Sequence, residues 1–112
     1  MEMNDAIRAL TALGNNTRLS AFRLLVEAGP AGCMAGDIAE ALSVPAPTLS
    51  FHLKELAAAG LVHGEPQGRH VCYRADFGAM NGLIGFLTHN CCAGSASTDC
   101  APSAMPSKGK SP

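Results

Sequence analysis

The sequence is poor in aromatic and charged residues. Of its 112 residues none is Trp, one is Tyr and four are Phe, and charged residues make up 15%. Eight basic and nine acidic residues leave a net charge of −1, so a generally basic surface is excluded and any polyanion must be bound by a local arrangement of charge. Because 47% of the residues are apolar, we expect one small domain with a core mainly of Leu, Ala, Val and Ile.

Long apolar runs are also missing. No stretch approaches the about 20 residues that a membrane helix needs. Residues 1–16 contain two acids and one Arg without a continuous apolar segment, so we expect no signal peptide. The sequence therefore predicts a cytoplasmic protein, in a compartment where thiols stay reduced.

The five cysteines do not form a pattern typical of thiol enzymes or of disulfide-rich domains. Their number is odd and their spacing irregular, which argues against a disulfide framework. No Cys is followed six positions later by Arg, as a phosphatase-like anion loop requires, and there is no Cys-x-x-Cys. We therefore expect a protein that is not an enzyme, whose thiols are core residues, metal ligands or redox groups.

The apolar periodicity predicts five helices and one β-hairpin. We expect a first helix over residues 3–13 and a second from a cap at Asn15 or Asn16 up to Gly29-Pro30. Three more helices are expected over residues 35–42, 46–59 and 76–90. Two short strands, 61–65 and 69–74, flank a turn at 66–68. The predicted fold class is mainly α with a small β-hairpin, in one domain over residues 1–92. Residues 93–112, rich in Ser, Ala, Pro, Gly and Lys, are expected to be a flexible tail carrying Cys100.

Spacing also predicts which side chains point inward. In the first helix the apolar stripe is Met3, Ile7, Leu10 and Leu13, and the terminal helices carry more apolar surface than a small domain can cover. The inward positions predicted for the other helices are Leu19, Phe22, Leu25 and Val26, then Ile38, Ala39 and Leu42, then Leu49, Leu53 and Leu56, and finally Phe77, Met80, Ile84 and Leu87.

Residues 35–59 have the layout of a helix-turn-helix, in which the first helix braces a second that lies in the DNA major groove. Short hydroxyls, an imidazole and an ammonium on the second helix are suited to phosphates and base edges, and the hairpin tip can reach the backbone or minor groove. The alternative is a solvated polar face on an ordinary α+β domain. The candidate DNA-binding residues are Thr48, Ser50, His52, Lys54, Gln67, Arg69 and His70, with Arg18 and Arg23 as further phosphate contacts.

These segments carry a resemblance to a known family. The stretch Thr48 to Leu56 (TLSFHLKEL), the following Ala59-Gly60-Leu61-Val62, and then Gly68-Arg69 and Tyr73 resemble the ArsR/SmtB family of winged-helix repressors over about residues 3–92. The resemblance implies a winged helix-turn-helix homodimer built from the first and last helices. It also implies binding to a dyad-symmetric operator in double-stranded DNA and release when an inducer binds.

Three thiols near the end of the chain predict the inducer site. Trivalent arsenic and antimony prefer three thiolates, and Cys91, Cys92 and Cys100 can supply them. Cys100 lies eight positions beyond Cys92, a length of chain that is sufficient to fold back. The arrangement is similar to family variants with a C-terminal Cys-Cys pair and a third thiol. Residues 47–56 lack the recognition-helix cysteines of the best-known arsenic repressors. The resemblance also makes zinc less favoured, because the zinc sensors of the family use Asp and His pairs along the last helix and this helix offers only Asp76 and His89.

Other interpretations remain open. The thiols can instead sense oxidants or persulfides in a repressor of the same fold, which would need only two of them. A metalloid chaperone without DNA binding would leave the helix-turn-helix unexplained, and a thiol enzyme lacks its motifs. Cys33 and Cys72 are expected to be small buried hydrophobes.

Overall fold

The computed structural model describes residues 1–90. Within that range no helix is long and apolar enough to cross a membrane. The chain forms five helices, a short 3-10 turn at Gly29–Ala31 and a three-stranded antiparallel sheet. In chain order the elements are α1 Met3–Leu13, α2 Asn16–Ala28, β1 Cys33–Met34, α3 Ala35–Leu42, α4 Ala46–Ala58, β2 Val62–Gln67, β3 His70–Ala75 and α5 Phe77–Thr88. The prediction of a mainly α fold with a β-hairpin, arranged as a winged helix-turn-helix, is confirmed.

Two helix starts are set by the side chains that the sequence offers as caps. The Asn15 side chain accepts a hydrogen bond from the backbone N–H of Arg18 at 3.1 Å and begins α2. The Asp76 side chain accepts from the N–H of Ala79 at 2.8 Å and begins α5. Because Asp76 is a cap, α5 begins one residue later than predicted, and it ends at Thr88 rather than at residue 90.

The core is centred on α2, which packs against α1, α3, α4 and β3. Small side chains on α1 let the two helices approach closely, and α3 and α4 close the other side with one isoleucine and three leucines. The buried side chains of the helices are Ala6, Ala9, Ala12, Ala21, Phe22, Leu25, Ile38, Ala39, Leu49, Leu53, Leu56 and Leu83.

Several side chains predicted to point inward are exposed. Leu19 on α2 and both Ile84 and Leu87 on α5 lie largely in solvent, whereas Leu83, one position from Ile84, is buried. Phe77 and Met80 of α5 are half-buried against the core, as predicted. The prediction was wrong for Ile84 and Leu87, because α5 packs mainly against α1 and only a narrow stripe of it is covered. On α1 the alanines occupy the buried face, and Met3, Ile7 and Leu10 are exposed.

The sheet contains one strand that the sequence did not reveal. In the order β1-β3-β2, the two residues of β1 pair with β3, Cys33 opposite Tyr73 and Met34 opposite Cys72. Two residues are too few to show an alternating pattern. Gly32, with φ of 75°, precedes β1, and a Cβ there would collide with the Tyr73 carbonyl oxygen and sit 2.8 Å from Arg74 Cγ, so only glycine permits this close approach.

The hairpin turn is also tighter than predicted. Pro66 and Gln67 belong to β2, and Gln67 pairs with His70, which leaves Gly68-Arg69 as a two-residue loop. Gly68 has φ of 67° and Arg69 does not have positive φ. That is the pattern of a type II′ turn, whose twist matches the flanking strands.

Candidate nucleic-acid interface

Helices α3 and α4 are held at a fixed angle by apolar contacts on both sides of a short turn. Ser43 ends α3 in the left-handed conformation with φ of 55°, and Pro45 precedes the first turn of α4. Leu49, Leu53 and Leu56 of α4 are completely or almost completely buried. The side of α4 opposite these leucines is consequently offered to solvent in one orientation.

The structure places the predicted residues of α4 in two groups. Thr48 and Lys54 are exposed, as is the acidic Glu55, and Ser50 and His52 are half-buried. Helix geometry explains the division, since each residue turns the helix by about 100°. Ser50 and His52 thus flank the buried leucine stripe, and Thr48 and Lys54 lie farther round the helix.

Phe51 is a surface residue that the sequence analysis missed. Its side chain is 57% exposed, and its ring meets the neighbouring His52 ring edge-on, with centroids 5.5 Å apart. It lies two residues from both Leu49 and Leu53, so it projects directly away from the core. Counting residues along α4 would have identified it. An aromatic group can contact the methyl group of thymine in the major groove.

The hairpin carries the other predicted contacts at its free end. Gln67, Arg69 and His70 are all exposed, so the tip presents a guanidinium, an amide and an imidazole together. Nearer the base of the hairpin, Arg74 and Glu65 form an ion pair at 2.7 Å across the two strands. Arg69 therefore supplies the cation of the tip, whereas the charge of Arg74 is partly neutralised.

Arg18, expected to contact phosphate, instead binds two groups of its own chain. Its Nε donates to the carbonyl oxygen of Ala12 at 2.6 Å, and its Nη1 lies 3.2 Å from Nδ1 of His52. The residue is half-buried, which removes it from the exposed set. Arg23 on the same helix is exposed and still available for phosphate.

His63, a residue of β2, joins the hairpin to α5. Its Nε2 lies 2.7 Å from an Asp76 carboxylate oxygen. The backbone N–H of Ala79 and, after it, the His63 side chain lower the pKa of Asp76 below its usual value. The carboxylate therefore holds two parts of the fold together at the start of α5.

The thiols fall into two classes. Cys91, Cys92 and Cys100 lie outside the described residues. Cys72 is buried, with its Sγ 3.6 Å from the Ala31 carbonyl oxygen. Cys33 is half-buried beside it, and burial raises the pKa of its thiol, which makes that thiol less reactive. Within residues 1–90 no three His, Cys, Asp or Glu side chains come together as metal ligands.

Comparison with known proteins gives consistent results. A family model described as a helix-turn-helix domain matches residues 13–65. The transcriptional repressor SmtB of Mycobacterium tuberculosis is 55% identical over 54 residues, which are 47% of this chain and 40% of the repressor. The chain thus spans well under half the length of the curated relatives it matches.

Solved structures extend the likeness to most of the described chain. An ArsR-like transcriptional regulator from Rhodococcus sp. RHA1 is 30% identical with a TM-score of 0.65, over 75% of this chain and 76% of the regulator. A homodimeric winged helix-turn-helix DNA-binding domain from Mycobacterium bovis, described as a possible ArsR-family regulator, has a TM-score of 0.62 at 23% identity, over 85% and 88% of the two chains. These relatives are named as regulators and not as enzymes. The buried leucines of α4, its exposed polar face and the hairpin are thus the parts of a shared architecture, and the chain belongs to the ArsR/SmtB family of winged helix-turn-helix transcriptional regulators.

Proposed function

We propose that this protein is a repressor that binds operator DNA as a homodimer and leaves it when trivalent arsenic or antimony binds its C-terminal thiolates. The observation that carries the proposal is the orientation of α4. Three leucines fix one side of the helix in the core, and the opposite side presents Thr48, Phe51 and Lys54 to solvent. A helix held in this way can enter a major groove without rearranging.

The proposed contacts divide by chemistry. Lys54 and the tip residues Gln67, Arg69 and His70 supply donors that suit phosphate oxygens, which position a protein on DNA. Thr48, Ser50 and His52 can reach base edges, and Phe51 can contact a thymine methyl group. Phe51→Ala is expected to relax the preference for thymine at one position per half-site, whereas Phe51→Leu keeps an apolar contact and should keep most of the preference.

Exposed apolar side chains support a homodimer through α1 and α5. Large apolar residues are exposed on both helices, and α5 packs mainly against α1, so we infer that they form one apolar patch. Such a patch usually marks an interface, and the relative from Mycobacterium bovis is described as homodimeric. The proposed interface residues are Met1, Met3, Ile7, Leu10, Ile84 and Leu87.

The inducer site rests on the donor set. Cys91 follows directly on Asn90, the last described residue, and Cys92 and Cys100 complete three thiols, the number that trivalent arsenic and antimony prefer. Soft thiolates select such soft ions. Because the site adjoins α5 in sequence, ligation can shift the equilibrium between DNA-competent and released dimers, provided that the ion binds the two states with different affinity.

Selection from a random duplex library, followed by binding measurements, tests the proposal. The wild-type dimer should enrich a dyad-symmetric site, and arsenite should release it. Cys91→Ser and Cys92→Ser should stay bound in arsenite, and Cys100→Ser should lose the arsenite response. Cys33→Ser, the matched control, should respond normally. Peroxide and zinc are run in parallel.

Each part of the proposal has its own contradicting outcome. Failure to enrich any DNA site contradicts the DNA-binding function. Release by peroxide that needs only Cys91 and Cys92 favours a redox or persulfide signal in place of arsenic. Loss of the arsenite response in Cys33→Ser but not in Cys91→Ser contradicts the site assignment.

A further inference from the structure

We propose that Arg18 is a positioning residue for DNA reading, which holds the imidazole of His52 in the tautomer protonated on Nε2. The ring then offers an N–H donor, and no acceptor, to DNA. The inference rests on the proposed DNA-binding function and deepens it, since it states that His52 donates, and the DNA accepts, in one hydrogen bond. It also replaces the expectation that Arg18 itself contacts phosphate.

The assignment follows from the chemistry of the pair. A guanidinium has only donors, so Nδ1 of His52, 3.2 Å from Nη1 of Arg18, must accept. In a neutral imidazole the other nitrogen then carries the proton. Within residues 1–90, Nε2 of His52 has no hydrogen-bond partner, so its proton is free for a ligand.

Arg18 is itself held at two points, which is why it can orient another side chain. Its backbone N–H donates to the Asn15 cap at 3.1 Å, and its Nε donates to the Ala12 carbonyl oxygen at 2.6 Å. Ala12 lies in the last turn of α1 and Asn15 begins α2. The guanidinium therefore joins α1, α2 and the recognition helix α4 through a single side chain.

The consequence is a defined preference. An Nε2–H donor pairs with acceptors: a phosphate oxygen, or O6 and N7 of guanine, N7 of adenine or O4 of thymine. It cannot accept from the amino groups of adenine or cytosine. Loss of a phosphate contact weakens DNA binding by the same factor for all sequences, whereas loss of a base contact changes the selected site at one position. The two kinds of contact can therefore be told apart.

The first test needs no DNA. In the wild-type protein labelled with ¹⁵N, long-range ¹H–¹⁵N spectra at neutral pH should show His52 in the Nε2–H form. Arg18→Met keeps much of the side-chain length but removes both donors, and His52 should then populate both tautomers. Arg23→Met on the exposed face of α2 is the matched control and should leave the His52 spectrum unchanged. An Nδ1–H form in the wild type overturns the proposal, whatever the variants do.

The second test is a double-mutant cycle on a selected DNA site. Arg18→Met and His52→Ala should each weaken binding by about tenfold or more, and combining them should add little, because Arg18 acts through His52. Independent, additive losses overturn the inference. It is also overturned if the DNA affinity of Arg18→Met depends less on salt than that of the wild type, by the amount expected for about one lost phosphate contact. Arg23→Met is the variant in which that fall is expected. If no DNA site is enriched at all, the proposed function fails, and the tautomer measurement still decides the role of Arg18.

Discussion

Helices α4 and α5 are similar in length and both rich in apolar residues, yet they bury different amounts of them. Leu49, Leu53 and Leu56 of α4 are all removed from solvent. On α5 only Leu83 is buried, and Ile84 and Leu87 are 52% and 58% exposed. An apolar pattern alone therefore does not say whether a helix will be covered by its own chain.

The difference lies in what each helix packs against. Helix α4 contacts α1, α2, α3 and β2, whereas α5 packs mainly against α1. The apolar stripe of α4 is closed inside one chain. The stripes of α1 and α5 leave apolar side chains exposed, and in the proposed function α4 reads DNA while α1 and α5 assemble the dimer.

The largest expected effect is on the free energy of unfolding, from a substitution in the buried stripe of α4. Leu53→Ala should lower the free energy of unfolding by about 2–5 kcal/mol, because it removes apolar contacts and leaves a cavity. Phe51→Ala on the exposed side of the same helix should change it by about 0.5 kcal/mol or less. Urea denaturation of both variants gives the comparison. Equal losses would show that α4 has no distinct buried side.

A substitution among the exposed apolar residues of α5 should change the dissociation constant of the proposed dimer. Leu87→Glu would bring a charge into the proposed interface and remove about 1 kcal/mol of apolar burial from each subunit, about 2 kcal/mol per dimer, which raises the dimer Kd by about thirtyfold. Sedimentation equilibrium measures this constant. Leu19→Glu, on an exposed apolar residue of α2, is the control that should leave it unchanged. A Leu87→Glu protein that dimerises like the wild type would place the interface elsewhere.

A smaller effect is expected at the start of α5, which depends on its cap. Asp76→Ala should cost about 1 kcal/mol at neutral pH, and Asp76→Asn, which can still cap, should cost less. The pKa of Asp76 is lowered in the folded protein, so its charge stabilises the fold fully above the unfolded value of about 3.9. That contribution is lost as the pH falls through the folded value.

Thermal unfolding from pH 7 to pH 2 measures this dependence. The stability difference between wild type and Asp76→Asn should shrink below about pH 4, where the unfolded carboxyl begins to be protonated. A difference that is constant over the whole range would mean that the charge of Asp76 has no part in holding α5.

The smallest effect is expected where the chain enters α4. Ser43 has φ of 55°, a conformation that costs a non-glycine residue about 1 kcal/mol. Ser43→Gly should therefore raise the free energy of unfolding by up to about 1 kcal/mol, although glycine gains more freedom in the unfolded chain. Ser43→Ala keeps the Cβ and should not stabilise. Destabilisation by Ser43→Gly would show that the freedom glycine gains in the unfolded chain outweighs the relief of backbone strain.

Local signals in the sequence were sufficient for much of the fold. The leucine spacing of α4 identified its buried side, and α1, α3 and the cap of α2 were found at the positions where the structure has them. Each depends on residues within one or two turns of one another. The exposed position of Phe51 was available from the same spacing, because the buried leucines define the opposite side of the helix.

Other features depend on contacts between distant residues. The hydrogen bond from Arg18 to His52 joins residues 34 positions apart, and no local sequence pattern predicts it. The two residues of β1 become a strand only because β3 lies beside them. Exposed and buried faces of α5 follow from its contact with α1, which the apolar spacing of α5 does not encode.

The sequence by itself thus determined where the helices and the hairpin form, since backbone propensity, caps and apolar spacing act over a few residues. The tertiary structure decided which apolar stripes are covered, since burial depends on which elements pack together. It also decided that Arg18 orients His52 inside the fold, because a guanidinium half-buried between three helices satisfies its donors with the groups it meets there.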